Sequence, residues 1–139
     1  HFAGHANSPG DGVVHGEEGL RMEDGWVSHL EVHSGVVLGI EDGTFVVLNA
    51  CSAGAANREL GGVGGWPSCL AARGFGGILA PIWAIQDEFA SQVVLDQVSG
   101  LAKGMTLGET MRAARTCYRN ASATPYAYLC HGDVMARVF

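Results

Sequence analysis

The chain predicts an α/β domain built on a mostly parallel sheet flanked by helices, and three observations point there. Thr44 to Ala50 and Gly76 to Trp83 are continuous apolar runs, too short for ordinary helices, which is how strands buried on both faces read. Segments with apolar residues at helical spacing stand between and after them. The composition, 47% apolar and 16% charged with 21 glycines scattered among apolar runs, is that of a turn-rich folded domain. Strands alternating with helices build parallel sheets, whose ligands bind beyond the carboxyl ends of the strands. With 139 residues the chain is long enough for one buried core, so 1–139 reads as a single domain.

Each element has its own signal. His1-Phe2-Ala3-Gly4 reads as the end of a buried strand that opens abruptly, with an upstream portion expected. Asn7-Ser-Pro-Gly-Asp-Gly12 is a cluster of turn formers, and the stretch up to Glu23-Asp24-Gly25 reads as a long loop with a hairpin. Trp26 to His33 has the spacing of one short helix that Gly35 closes. Asp42-Gly43 bounds the strand over Thr44 to Ala50. Gly61 to Gly65 reads as a flexible loop ahead of a helix that starts at Pro67 and ends at Gly74. Asp87 caps a helix with Phe89, Val93, Val94, Val98 and Leu101 on one stripe, ended by Gly100 and Gly104. Thr106-Leu-Gly-Glu109 is a capping box, and Leu107, Met111, Ala114 and Tyr118 continue its helix to Asn120. Pro125 stops that helix, and Tyr126 to His131 is the third strand.

Composition narrows the function. The net charge is −6, and along the sequence the 8 Lys and Arg neither cluster nor interleave with aromatics. That pattern offers no footprint for nucleic acid or for an acidic membrane surface. No apolar run reaches the roughly 18 residues of a membrane span, and no signal peptide is visible. Cys51, Cys69, Cys117 and Cys130 lack Cys-x-x-Cys spacing, so the chain reads as a reduced, cytoplasmic protein, the last three as packing residues. The glycine-rich loop lacks the Gly-Lys-Ser/Thr ending of a phosphate loop, and no cofactor is expected.

The chemistry concentrates at two strand ends. Phe45-Val-Val-Leu-Asn-Ala-Cys51-Ser-Ala-Gly54 carries a cysteine from an apolar strand into a small-residue turn, and Phe2-Ala-Gly-His5-Ala6 carries a histidine out of another. A thiol and an imidazole are the minimum for thiol acyl transfer. The thiolate is the attacking species, and an imidazole with a reference pKa of about 6.5 can take the thiol proton and return it to a leaving amine. Read without its surroundings, Cys51 is equally a small buried residue at a strand end.

His1-Phe-Ala-Gly-His5, Leu20-Arg-Met-Glu-Asp-Gly-Trp26, Val47-Leu-Asn-Ala-Cys-Ser-Ala-Gly54 and Ala80-Pro-Ile-Trp-Ala-Ile-Gln-Asp87, in that order, resemble the CHAT domain of caspase-like and separase-like peptidases. Tyr126-Ala-Tyr-Leu-Cys-His-Gly-Asp133 resembles the family's final strand and its Gly-Asp ending. The resemblance spans nearly the whole chain and implies a caspase-like fold that lacks its amino-terminal strands here. It also implies cysteine endopeptidase chemistry on a protein or peptide substrate, with His5 and Cys51 on the catalytic positions. The backbone N–H groups of Ala6 and Cys51 fall on the oxyanion positions, and Ala6 departs from the glycine usual there. A regulatory repeat or sensor module is the partner such domains have. The alternative is a catalytically inactive caspase-like scaffold or interaction module.

Substrate-binding candidates follow. Asn49, two residues before Cys51, shares its side of the strand by period two, and stands where metacaspase-like relatives place an aspartate. Trp83 and Asp87 lie in a segment resembling the one separases use around a basic residue, so cleavage after a basic residue is expected, although an aspartate there also suits a helix cap. His29 and His33 have metal-ligand spacing, which raises a metal-dependent hydrolase as a rival, but no third ligand is evident and no metal site is assigned. His15 and His131 carry no motif.

Overall fold

The computed structural model describes residues 2–7, 19–35, 43–54, 57–59 and 62–138. Its central sheet has four strands, ordered β1 (Phe2–Ala3), β5 (Phe45–Asn49), β8 (Gly77–Pro81) and β9 (Tyr128–Gly132). The first three run parallel, and β9 runs antiparallel to β8. The expected α/β architecture, a mostly parallel sheet flanked by helices, is therefore present.

Alternation along β5 and β8 feeds two apolar layers. Val47 and Leu79 pack with Val93 and Leu101 of α3 (Asp87–Ala102) and Leu107 and Met111 of α4 (Leu107–Tyr118). Leu48, Ile78 and Ala80 face the other way, against Trp66 and Leu70 of α2 (Trp66–Ala72) and against Leu20. Fully burying one such aliphatic side chain contributes about 1.5–3 kcal/mol, so both layers anchor the strands whose ends carry His5 and Cys51. The expected capping box forms: Thr106 N donates to Glu109 Oε2 at 2.8 Å and Glu109 N to Thr106 Oγ1 at 3.2 Å. These bonds hold the Glu109 carboxyl below its ordinary pKa. Between α3 and α4, the Tyr118 hydroxyl donates to Asp96 Oδ2 at 2.6 Å, which pushes the phenol up to about 12.

Several elements differ from expectation. The hairpin is present as β3 (Gly19–Met22) and β4 (Gly25–Val27), joined on the other side by β2 (Ala6–Asn7). Trp26 lies in β4 opposite Arg21, and the helix α1 (His29–Gly35) begins after it. Ser28 N donates to Glu31 Oε2 and Glu31 N to Ser28 Oγ, a second capping box that outweighs the helical spacing of Trp26 and Val27. Within the expected Gly61 to Gly65 loop lies a strand, β7 (Gly62–Gly64), paired antiparallel with β6 (Asn57–Glu59) just before it. Main-chain pairing needs no side chains, so glycine-rich strands leave little trace in a sequence. Asp87 is not the cap of α3: Gln86 stands there in extended backbone without a side-chain cap bond, and Asp87 occupies the first turn, where its charge suits the helix dipole. Val98 is exposed, and Gln97 takes the inward position. Gly100 does not end the helix. A Cβ there would lie 2.7 Å from Thr110 Cγ2, so glycine lets α3 and α4 approach closely.

Near the end of the chain, α5 (Thr124–Ala127) precedes β9, because Pro125 starts a helical turn where a strand was expected. The four cysteines form no disulfide with one another, and Cys117 is exposed and does not pack. Contrary to expectation, basic residues do cluster: Arg112, Arg115 and Arg119, at helical spacing along α4 and its cap, line one cleft. No helix of the described residues is long and apolar enough to cross a membrane. The turn formers over 8–12, His15 and Asp42 lie outside the described residues, as does the side chain of His33.

Candidate active site

His5 stands two residues past the end of β1 and Cys51 two residues past the end of β5, its parallel neighbour. Gly4 N donates to Asn49 O at 3.1 Å, which fastens the histidine segment to the strand that carries the cysteine. A cleft of about 240 Å³ opens there, lined by His5, Asn49, Cys51, Ile85 and Asp87 among others. The structure thus brings together four residues singled out from the sequence. His5 and Asp87 are exposed, whereas Cys51 is half-buried.

Backbone bonding explains how the cysteine turn is held. Ser52 N donates to Trp83 O at 3.4 Å, Ala53 N to Ala50 O at 3.2 Å and Gly54 N to Pro81 O at 2.8 Å. The turn is therefore strapped to the end of β8, and the N–H of Cys51 is left without a partner among the described residues. Ser52 sits at φ 57, in the left-handed region that costs a non-glycine residue roughly 1–2 kcal/mol. Trp83 contributes its carbonyl to this strap. Its side chain is 43% exposed and is not among those lining the cleft.

Ala6 pairs with Leu20 in the β2–β3 ladder, and Arg21 N donates to His5 O at 2.9 Å. Bonded and non-bonded pairs alternate in antiparallel ladders, so Ala6 and Leu20 form a non-bonded pair. The Ala6 N–H consequently points away from β3. Both expected oxyanion donors are free of ladder bonds.

Two residues of the site had no assigned role in the sequence. Tyr128, fully buried on β9, donates its hydroxyl to Asn49 Oδ1. Burial, with a further contribution from the Cys51 sulfur, drives its phenol well above the ordinary pKa, so it stays a neutral donor. A tyrosine in a buried strand needs a partner for its hydroxyl, and that rule was the available signal. His131, also on β9, reaches the backbone of Gly54, while its Nε2 is buried without a partner among the described residues. Burial lowers its pKa, with the Gly54 contact opposing. A histidine whose folded pKa is depressed destabilises the fold only when protonated, so its cost is absent above the unfolded value near 6.5. Stability should then fall as pH drops below about 6.5 and through the folded value. Urea midpoints measured across that range should slope downward towards acid, and His131→Gln should flatten the slope; an unchanged slope would clear His131 of the effect.

Among the described residues, no three His, Cys, Asp or Glu side chains gather closely enough to hold a metal ion. Compared with known proteins, the chain matches no family model and no curated sequence.

Proposed function

We propose that the chain is a CHAT-type, caspase-like cysteine endopeptidase domain in which Cys51 is the nucleophile and His5 the acid/base partner. The observation that carries this reading is the shared cleft: His5 and Cys51 leave adjacent parallel strands and line one opening at their carboxyl ends. The free N–H groups of Cys51 and Ala6 support it, as does the left-handed Ser52 beside the cysteine.

In this mechanism His5 takes the thiol proton and the sulfur attacks the peptide carbonyl. The tetrahedral oxyanion is held by the two backbone N–H groups. The C–N bond then breaks, His5 delivers its proton to the departing amine, and a thioester remains on Cys51. Water, deprotonated by His5, hydrolyses the thioester and regenerates the thiol. Asp87 on the cleft wall favours a basic side chain before the scissile bond, and Asn49, its amide oxygen occupied by Tyr128, offers N–H donors.

A diverse peptide library, profiled alongside Cys51 labelling by a peptidyl thiol-directed probe, tests the proposal. Cleavage lost in Cys51→Ala would support it. Neither cleavage nor labelling by the intact protein would leave an inactive scaffold. Asp87→Asn should erode the preference for arginine or lysine by about tenfold, the scale of one exposed-to-half-buried charge contact. A library profile indifferent to basic residues would remove the specificity assignment alone.

A further inference from the structure

Five of the 8 lysines and arginines fall after residue 96, together with only Glu109 and Asp133 of the 14 carboxylates. The fold concentrates them further. Arg112, Arg115 and Arg119 line a cleft of about 620 Å³ between α4 and β9. A second, of about 760 Å³, adjoins it through Arg112 and Thr116 and adds Lys103 and Arg137.

These cations are not equally engaged. Arg115 donates to Tyr128 O at 3.0 Å and lies over the Tyr126 ring, and Arg137 donates to Gly104 O at 2.7 Å. Arg112 and Arg119 are exposed; Arg112 lies within electrostatic reach of Glu109, which lines the second cleft, and neither guanidinium donates a side-chain hydrogen bond among the described residues. The same cleft is lined by Met111, Leu129 and Val134, the last two exposed. On its floor, β9 has β8 as its one sheet neighbour among the described residues; on its outer edge Tyr128 O is taken by Arg115, and the edge beyond it, at Cys130 and Gly132, has no strand partner among them. An unpaired edge beside an apolar and cationic wall suits an extended chain whose side chains alternate between apolar and acidic.

We propose that the α4–β9 cleft is a docking site for an extended, acidic peptide segment of a partner protein, distinct from the cleft of Cys51 and independent of whether Cys51 is catalytic. Carboxylates of the segment meet Arg112 and Arg119, its apolar residues cover Leu129 and Val134, and its backbone lies along β9. Nucleic acid fits less well. Tyr126, with Arg115 over its ring, is the single aromatic of the described residues lining the cleft, too few for successive bases to stack on, and the acidic remainder of the chain repels a long polyanion beyond the cleft.

The test is fluorescence anisotropy with a labelled short peptide alternating glutamate and leucine, its glutamine-for-glutamate counterpart, and a short oligothymidylate. The acidic peptide should bind the intact protein, weaken with added salt, and lose at least about tenfold in affinity with Arg112→Glu/Arg119→Glu. Arg112→Gln/Arg119→Gln should lose less, and the rate of Cys51 alkylation should be unchanged in both as the control for folding. Failure of the acidic peptide to bind, equal binding of the glutamine peptide, tighter binding of the oligothymidylate, or self-association that depends on these arginines would each overturn the proposal.

Discussion

Cys51→Ala is expected to reduce peptide cleavage by on the order of 10⁴-fold or more, with the urea midpoint nearly unchanged. In the proposed mechanism, removing the nucleophile leaves only binding and oxyanion donors to assist water, whereas the half-buried thiol makes a small contribution to packing. His5→Ala should have an effect of similar size, because the two groups act as a unit and their losses do not add. The double variant should therefore be little worse than either single one. Initial rates on the best library peptide measure this, and cleavage that persists within about tenfold in either variant would move the chemistry away from the dyad.

Gly54→Ala should destabilise the fold by about 3 kcal/mol and lower activity with it. A Cβ at this position would lie 2.6 Å from the Ala80 carbonyl oxygen and 2.9 Å from its carbon, both backbone atoms of the central strand β8. Neither can rotate aside. To relieve the clash, the turn must lift from β8, breaking the 2.8 Å bond from Gly54 N to Pro81 O and displacing Cys51, three residues earlier. Denaturant unfolding gives the stability loss, and the rate of Cys51 alkylation reports displacement of the turn. A variant of unaltered midpoint and alkylation rate would show that the turn is not held against the sheet.

How much was legible from residues alone can be judged element by element. Buried strands announce themselves when both faces are apolar, as with Val46 to Leu48 and Ile78 to Pro81, and capping boxes announce helix starts, as at Thr106. The boundaries that shifted are those where two local signals compete. Ser28 and Glu31 close a cap that the helical spacing of Trp26 and Val27 obscures, and Pro125 opens a turn inside an apparent strand. The β6–β7 hairpin was missed because Asn57-Arg-Glu59 and Gly62-Val-Gly64 carry neither the β-branched enrichment nor the apolar alternation that marks a strand.

The class of fold, the two buried central strands, and a histidine and a cysteine each at a strand end were legible in the chain, since these rest on local patterns of polarity and on residue chemistry. Packing added that the candidates Asn49 and Asp87 line one cleft with His5 and Cys51, and that Tyr128 and His131 reach this region from β9. It also set Lys103 and Arg137 beside the helical row of Arg112, Arg115 and Arg119. The physical reason is common to all three: strand order and helix packing fix which distant residues meet, and neither is written in any short stretch of the chain.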